Sequence, residues 1–170
     1  MSDPATHSTT QADTHEALDA FWSALESSPF VMLGLPAQKA HSTPMTAQFD
    51  GRHGPIWFYG SRSSRLVEGL TSTNDAMAQY VGEGHNIFAC MAGMLTVDNN
   101  PAIIDKFWSN TVEAWYPQGK SDPDLVMMRF DPSNIEIWQA DMSLVGKIKM
   151  MFGGTIAADD LEGKHVETAL

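Results

Sequence analysis

The sequence predicts an α+β protein: a small barrel of antiparallel strands with helices at its edges. Three observations lead there. Six or seven short apolar or alternating segments are joined mostly by connections too short for the helical crossovers that parallel strands require. The helical segments stand apart from most strand pairs instead of alternating with them, which argues against a βαβ array. The chain has 170 residues, 43% of them apolar, enough for one domain with a core that needs no staples.

The elements follow in chain order. Asp13 and Glu16 have the spacing of a capping box, and Leu18, Phe21, Trp22 and Leu25 recur at helical spacing behind them. A helix is expected over about 14–27, ended by Ser27-Ser28-Pro29. Residues 30–35 form an apolar strand stopped by Pro36, and residues 45–49 alternate. Gly51-Arg52-His53-Gly54 is turn-like, so 45–49 and 56–59 are expected to form a hairpin. A polar loop, residues 60–64, opens a short helix carrying Leu66, Val67 and Leu70. Residues 76–81 and 87–97 are two further strands, separated by Gly82-Glu83-Gly84.

Asn100-Pro101 then supplies an N-cap and a proline at the first helical position. That helix shows Ile103, Ile104, Phe107 and Trp108 on one face and is expected to run to about Trp115, before Pro117 and Gly119. Residues 125–130 and 135–139 are strands on either side of an Asp131-Pro132-Ser133-Asn134 turn, and 144–152 is expected to be helical. The organisation is therefore a disordered N-terminal tail over 1–13, a folded domain over 14–153, and a weakly structured C-terminal tail over 154–170.

Charge and composition narrow the function. With 21 acids against 10 bases the net charge is −11, which repels nucleic acid and anionic membrane. The polar opening residues resemble no leader, and no apolar run reaches the length of a membrane span, so a soluble cytoplasmic protein is expected. The bases are unevenly placed: Lys39, Arg52, Arg62 and Arg65 share a stretch whose single acid is Asp50. That stretch is either ordinary solubilising surface or a small anion pocket. The single Cys90 excludes an internal disulfide framework and sits in an apolar strand, which suits a buried thiol better than a nucleophile. No dinucleotide-binding glycine motif, Walker loop, His-Glu-x-x-His or Gly-x-Ser-x-Gly is present, and the six histidines are dispersed, so no metal site is expected.

The densest chemistry is Trp57-Phe58-Tyr59 followed by Gly60-Ser61-Arg62-Ser63-Ser64-Arg65. A strand of aromatics offers flat faces and backbone amides, and the loop after it offers hydroxyls and two guanidiniums. A planar heterocycle carrying a phosphate suits that pair; core aromatics followed by a polar turn is the plainer alternative.

Several segments also stand in a recognisable order. They are Phe21-Trp22, Thr43-Pro44-Met45-Thr46-Ala47, Gly54-Pro55-Ile56-Trp57-Phe58-Tyr59 with Ser64 downstream, and Gly93. Phe107-Trp108, Trp115-Tyr116-Pro117-Gln118-Gly119, Asp122-Pro123-Asp124-Leu125 and Glu136-Ile137-Trp138 follow. Over residues 16 to about 152 the chain resembles the pyridoxamine 5′-phosphate oxidase-like family, in its short general stress protein branch. The resemblance implies an antiparallel split β-barrel, the FMN-binding split barrel, with peripheral helices. It also implies a homodimer holding two flavins at its interface, FMN more readily than FAD. Carried over by position, Thr43, Pro44 and Met45 would meet the flavin through backbone. Trp57, Phe58, Tyr59 and Gly60 would lie along the ring edge, with Ser64 and Arg65 at the phosphate. Trp108 and Trp115 would come from the partner subunit.

The match has departures. Thr43 stands where the family commonly has the Arg of Arg-Pro-Met, which leaves the neutral donors His41, Ser42 and Thr43. The family's phosphate-binding Lys falls on Leu66, beside Arg65, and its threonine after the aromatic strand is Gly60. Losing two charge-assisted contacts costs roughly 3–6 kcal/mol, or roughly 10²- to 10⁴-fold in affinity. Either Arg62 and Arg65 compensate, or flavin binds weakly, or another ligand takes the cleft. The Arg and His that position substrate in pyridoxamine phosphate oxidases have no counterpart, since no Arg follows Trp138; oxidation of that vitamer is not expected. The expectation is a dimeric FMN-binding general stress protein acting as a flavin-dependent oxidoreductase, with no catalytic acid or base assignable. The alternative is a non-catalytic scaffold whose cleft is empty or holds another planar ligand, haem or a deazaflavin.

Overall fold

A computed structural model describes residues 10–142 and 161–170. Helix α1 spans Gln11–Ser27. Its capping box lies one turn earlier than the sequence analysis places it. Thr10 is the N-cap, its hydroxyl accepting the Asp13 N–H at 3.2 Å while the Asp13 carboxylate accepts the Thr10 N–H at 3.1 Å. The tail expected over 1–13 is therefore helical from Gln11; residues 1–9 lie outside the described residues. Ala17, Phe21, Trp22 and Leu25 form the buried stripe of α1, which packs against the sheet.

Seven strands follow. They are β1 (Phe30–Gly34), β2 (Thr43–Thr46), β3 (Ile56–Ser61), β4 (Asn74–Val81), β5 (Ile87–Val97), β6 (Leu125–Met142) and β7 (Leu161–Ala169). Between them stand α2 (Arg65–Glu68), α3 (Pro101–Phe107) and α4 (Asn110–Glu113). All pairings are antiparallel, in the order β2-β1-β4-β5-β6-β3, with β7 added on β6. Among the described residues, the seam from β3 back to β2 is joined only by the isolated bridge between Gln48 and Trp57, so the barrel stays split there. This is the fold class read from the sequence. Among the described residues no helix is long and apolar enough to cross a membrane.

Four expectations change. The two strands expected over 125–130 and 135–139 are one strand, β6, and Asp131-Pro132-Ser133 is absorbed as a bulge. Gly93 opposes Pro132 and Ala92 opposes Asn134, leaving Ser133 extra. The bulge lets β6 change partners, from β3 along its first part to β7 along its second. The expected hairpin of 45–49 with 56–59 shrinks to the Gln48–Trp57 bridge because β2 pairs with β1 and β3 with β6. The helix expected to run to Trp115 breaks at Trp108, where the Ser109 hydroxyl takes the Val112 N–H and starts α4. The tail expected to be weakly structured over 154–170 contains β7, whose Val166 is buried in the core. The helix expected over 144–152 lies outside the described residues.

The core follows the two-residue period of the strands. Val31, Leu33, Ala78, Tyr80, Ala89, Met91, Met128, Ile135 and Ile137 point inward against the α1 stripe. A smaller cluster lies between β3, β6 and the α3–α4 pair: Trp57, Ile104, Val112, Tyr116, Leu125 and Met127. Strand β3 is thus buried on both faces, with Ile56 and Phe58 in the barrel and Trp57 in the second cluster.

Candidate functional site

The split between β2 and β3, walled by α4, is a cleft of about 590 Å³. Strand β2 contributes Thr43 to Thr46, and β3 contributes Tyr59, Gly60 and Ser61. Ser109, Thr111, Val112, Trp115 and Tyr116 come from the α4 segment, with Gln48, Ser64 and Asp124 completing the lining. The volume lies within the range of small-molecule and cofactor pockets.

Local hydrogen bonds fix each wall. Tyr116 hydroxyl donates to the Gly60 carbonyl at 2.9 Å, and Tyr59 hydroxyl to the Ile104 carbonyl at 2.6 Å. The two phenols and Trp108 form an aromatic group with ring centroids 6.0–6.4 Å apart. Burial, with the negative field of neighbouring groups, pushes both tyrosine pKa values up to about 12. Both hydroxyls therefore stay protonated donors at neutral pH and hold α3 and α4 to β3.

At the other end, Ser64 is the N-cap of α2, its oxygen accepting the Val67 N–H at 3.3 Å. Asp124 organises the loop before it. Its carboxylate accepts from the Ser61 hydroxyl at 2.5 Å and the Ser63 N–H at 3.2 Å, while its carbonyl accepts the Arg62 N–H at 2.7 Å. The Ser61 hydrogen bond is the largest cause holding the Asp124 carboxyl below its ordinary pKa.

Of the residues singled out in the sequence, Thr43, Pro44, Met45, Tyr59, Gly60, Ser64 and Trp115 line the cleft. Trp115 is 80% exposed at its rim. The other four do not line it. Phe58 is wholly inside the barrel, so strand alternation turns its side chain away. Trp57 is buried in the second cluster with the Arg129 guanidinium 5.7 Å from its ring. Trp108 packs edge-on against Tyr59 from behind. Arg65 opens α2 and is exposed. Arg62 donates from Nε to the Pro123 carbonyl at 3.0 Å.

Asp124 and Tyr116 were not singled out. Both stand in segments that carry the resemblance, Trp115-Tyr116-Pro117-Gln118-Gly119 and Asp122-Pro123-Asp124-Leu125, but neither is assigned a contact with the ligand. Gly60 has a simple reason: a side chain there would meet the Met128 methyl at 2.7 Å, so Met128 fills the space. Among the described residues no group of three His, Cys, Asp or Glu side chains is placed to hold a metal.

The cleft thus offers an apolar interior, hydroxyl and backbone donors at its edges, and, among the described residues, Asp124 as the only charged side chain in its lining. Those features fit a planar ring with polar edges. At the Ser61–Ser64 end, the Ser64 hydroxyl is available to a phosphate while that of Ser61 is held by Asp124, and the nearby cations stand outside the lining.

The family model described as "Pyridoxamine 5'-phosphate oxidase like" matches residues 16–166. The general stress FMN/FAD binding protein from the phytopathogen Xanthomonas citri is 40% identical. The likeness covers 77% of this chain and 94% of that one, with a TM-score of 0.72. General stress protein 26 of Bacillus subtilis is 30% identical over 105 residues, 60% of this chain and 73% of that protein. The solved structure of a general stress protein from Jannaschia, 24% identical, covers 92% of this chain and 99% of its own at a TM-score of 0.73, and so shows the shared fold.

Proposed function

The chain belongs to the pyridoxamine 5′-phosphate oxidase-like family, and from that premise we propose that it is a dimeric, cytoplasmic general stress protein that binds a flavin nucleotide in the β2–β3 cleft. The cleft itself carries this reading, because its lining matches the three parts of such a ligand. The β2 backbone at Thr43–Met45 and the Tyr59–Gly60 edge would hold the ring. Ser64, whose oxygen accepts the Val67 N–H and whose own proton is not given to Asp124, would donate to the phosphate. The exposed Trp115 would cover the ring's outer edge. The FMN/FAD binding of the Xanthomonas citri relative supports a flavin as the ligand.

The pairing of two copies rests on the outer face of the sheet. Phe30, Met32, Val81, Phe88, Met94 and Trp138 all point outward there, and Phe30 is 65% exposed. Val81, Phe88 and Trp138 stand in one row across β4, β5 and β6. The apolar face continues onto β2, where Met32 opposes Pro44 and Phe30 opposes Thr46. Covering such a patch removes it from water, and its edge is the lip of the cleft.

A bound flavin supplies hydride and electron transfer of its own. The residues of this chain orient the ring, exclude water and keep Tyr59 and Tyr116 as fixed donors behind it. We assign a flavin-dependent oxidoreductase activity without a catalytic acid or base. The expected result is a yellow protein whose flavin fluorescence is quenched on binding and whose mass by light scattering is twice 18.6 kDa. A colourless monomer that leaves FMN and FAD fluorescence unchanged would overturn the reading. A second reading, a scaffold or a carrier of another planar ligand, is favoured by Asp124 being the only charged lining group among the described residues. Saturable binding of haem or a deazaflavin in place of flavin would select it.

A further inference from the structure

In a chain of net charge −11, a cation without a carboxylate partner stands out. Arg52 pairs with Asp19 and Glu26, Lys106 with Asp50, Lys120 with Asp105, and Arg129 with Asp131. Among the described side chains, the lysines and arginines that remain without such a pair are Lys39, Arg62 and Arg65. All three are exposed: Lys39 on the loop that leads to the lining residue Thr43, and Arg62 and Arg65 on either side of the lining residue Ser64, Arg65 as the first residue of α2.

The chain path places them together. Arg62 and Arg65 flank Ser64, a lining residue. Arg62 spends only its Nε on the Pro123 carbonyl, and no bond engages its terminal nitrogens among the described residues. Lys39 follows Gln38, whose side-chain amide donates to the Gly69 carbonyl at the end of α2. The Gly69 N–H in turn bonds the Arg65 carbonyl at 3.2 Å. From Lys39 the loop runs directly to Thr43 at the cleft lip. The cations therefore stand outside the cleft, while inside it the same end carries the negative Asp124.

We propose that Lys39, with Arg62 and Arg65, forms an anion-binding rim that holds the outer phosphate of a dinucleotide flavin beyond the cleft. This rests on the flavin reading. A terminal phosphate monoester carries close to two charges at neutral pH and would place them beside Asp124. A pyrophosphate diester carries one charge per phosphorus and reaches outward, where opposite charges on an exposed rim attract it in a salt-sensitive way. Lys39 is the discriminating residue, because Arg65 adjoins Ser64 and would serve an inner phosphate as well.

The test is titration of FAD and FMN into the wild type, Lys39→Met and the control Lys106→Met, at low and at physiological salt. Lys39→Met is expected to weaken FAD roughly 2- to 5-fold at low salt, the scale of one lost charge contact at an exposed site. FMN should stay within about twofold, and the salt dependence of FAD binding should fall. The charge-matched Lys106→Met should leave the FAD-to-FMN ratio unchanged. Equal effects of Lys39→Met on both flavins, no effect on either, or the same change of ratio in Lys106→Met would each overturn the rim while leaving flavin binding intact. A wild type that binds neither flavin would overturn the flavin reading itself, and the rim with it.

Discussion

Replacing Gly93 by alanine tests the close approach of β5 and β6 at the bulge where β6 changes partners. A Cβ built on Gly93 would sit 2.2 Å from the Asp131 carbonyl oxygen and 2.8 Å from the Pro132 Cα. Both atoms are backbone, so no rotamer relieves the contact. Ordinary van der Waals distance begins near 3.4 Å, and the two strands must part by about 1 Å. The clash falls at the register shift where β6 leaves β3 for β7. Overpacking of this kind costs roughly 1–3 kcal/mol, and more where backbone must move. For a domain of this size each kcal/mol lowers Tm by about 2–4 °C, so Gly93→Ala should melt roughly 3–10 °C below the wild type. The assay is thermal unfolding followed by circular dichroism, with Gly54→Ala as control. Its Cβ would meet only the Asp50 carbonyl oxygen, at 3.9 Å, and its Tm should move by no more than about 2 °C. Flavin binding should weaken in Gly93→Ala, because the bulge also sets where β3 lies. A Gly93→Ala protein melting within 1 °C of the wild type would refute the close approach of β5 and β6.

The other predictions concern the walls of the cleft. Trp115→Ala should leave Tm unchanged, since the ring is 80% exposed, while flavin affinity falls roughly 2- to 10-fold, the scale of one aromatic contact; equal affinity in a titration would remove Trp115 from the site. Tyr116→Phe takes the donor from the Gly60 carbonyl and should cost about 1–2 kcal/mol, read from denaturant midpoints. All three tyrosines have raised pKa values, Tyr59 and Tyr116 to about 12. The folded value lies above the unfolded one near 10, so the stabilisation is complete below about pH 10 and is lost as pH rises towards 12. Alkaline titration should show Tyr59 and Tyr116 contributing no tyrosinate absorbance at pH 10, then ionising together with unfolding; an early, reversible rise worth two or more tyrosines would contradict the burial of these two rings.

Much of the barrel was legible because local pattern and tertiary demand agree in it. Strand β5 alternates over its whole length, and its inward residues Ile87, Ala89, Met91 and Leu95 are those that period two selects. The α1 stripe was legible for the same reason. The failures share one cause as well. Asp131-Pro132-Ser133-Asn134 is an ordinary turn by composition, yet Gly93, far away in sequence, lets that segment continue as strand. The segment 161–169 has little apolar content, and the free backbone edge of β6 makes it a strand.

The site divides in the same way. Segment order along the chain was enough to name the family, the β2 and β3 segments and the loop at Ser64, because those contacts lie within single strands or turns. Only the tertiary structure decided which aromatics face the cleft: Tyr59 lines it, Phe58 fills the barrel, and Trp57 lies under Arg129. It also brought Asp124 to the Ser61 loop and left Lys39, Arg62 and Arg65 without carboxylate partners among the described residues. Those facts depend on side-chain direction and on contacts between distant segments. A sequence records which groups are available, and packing determines which of them meet.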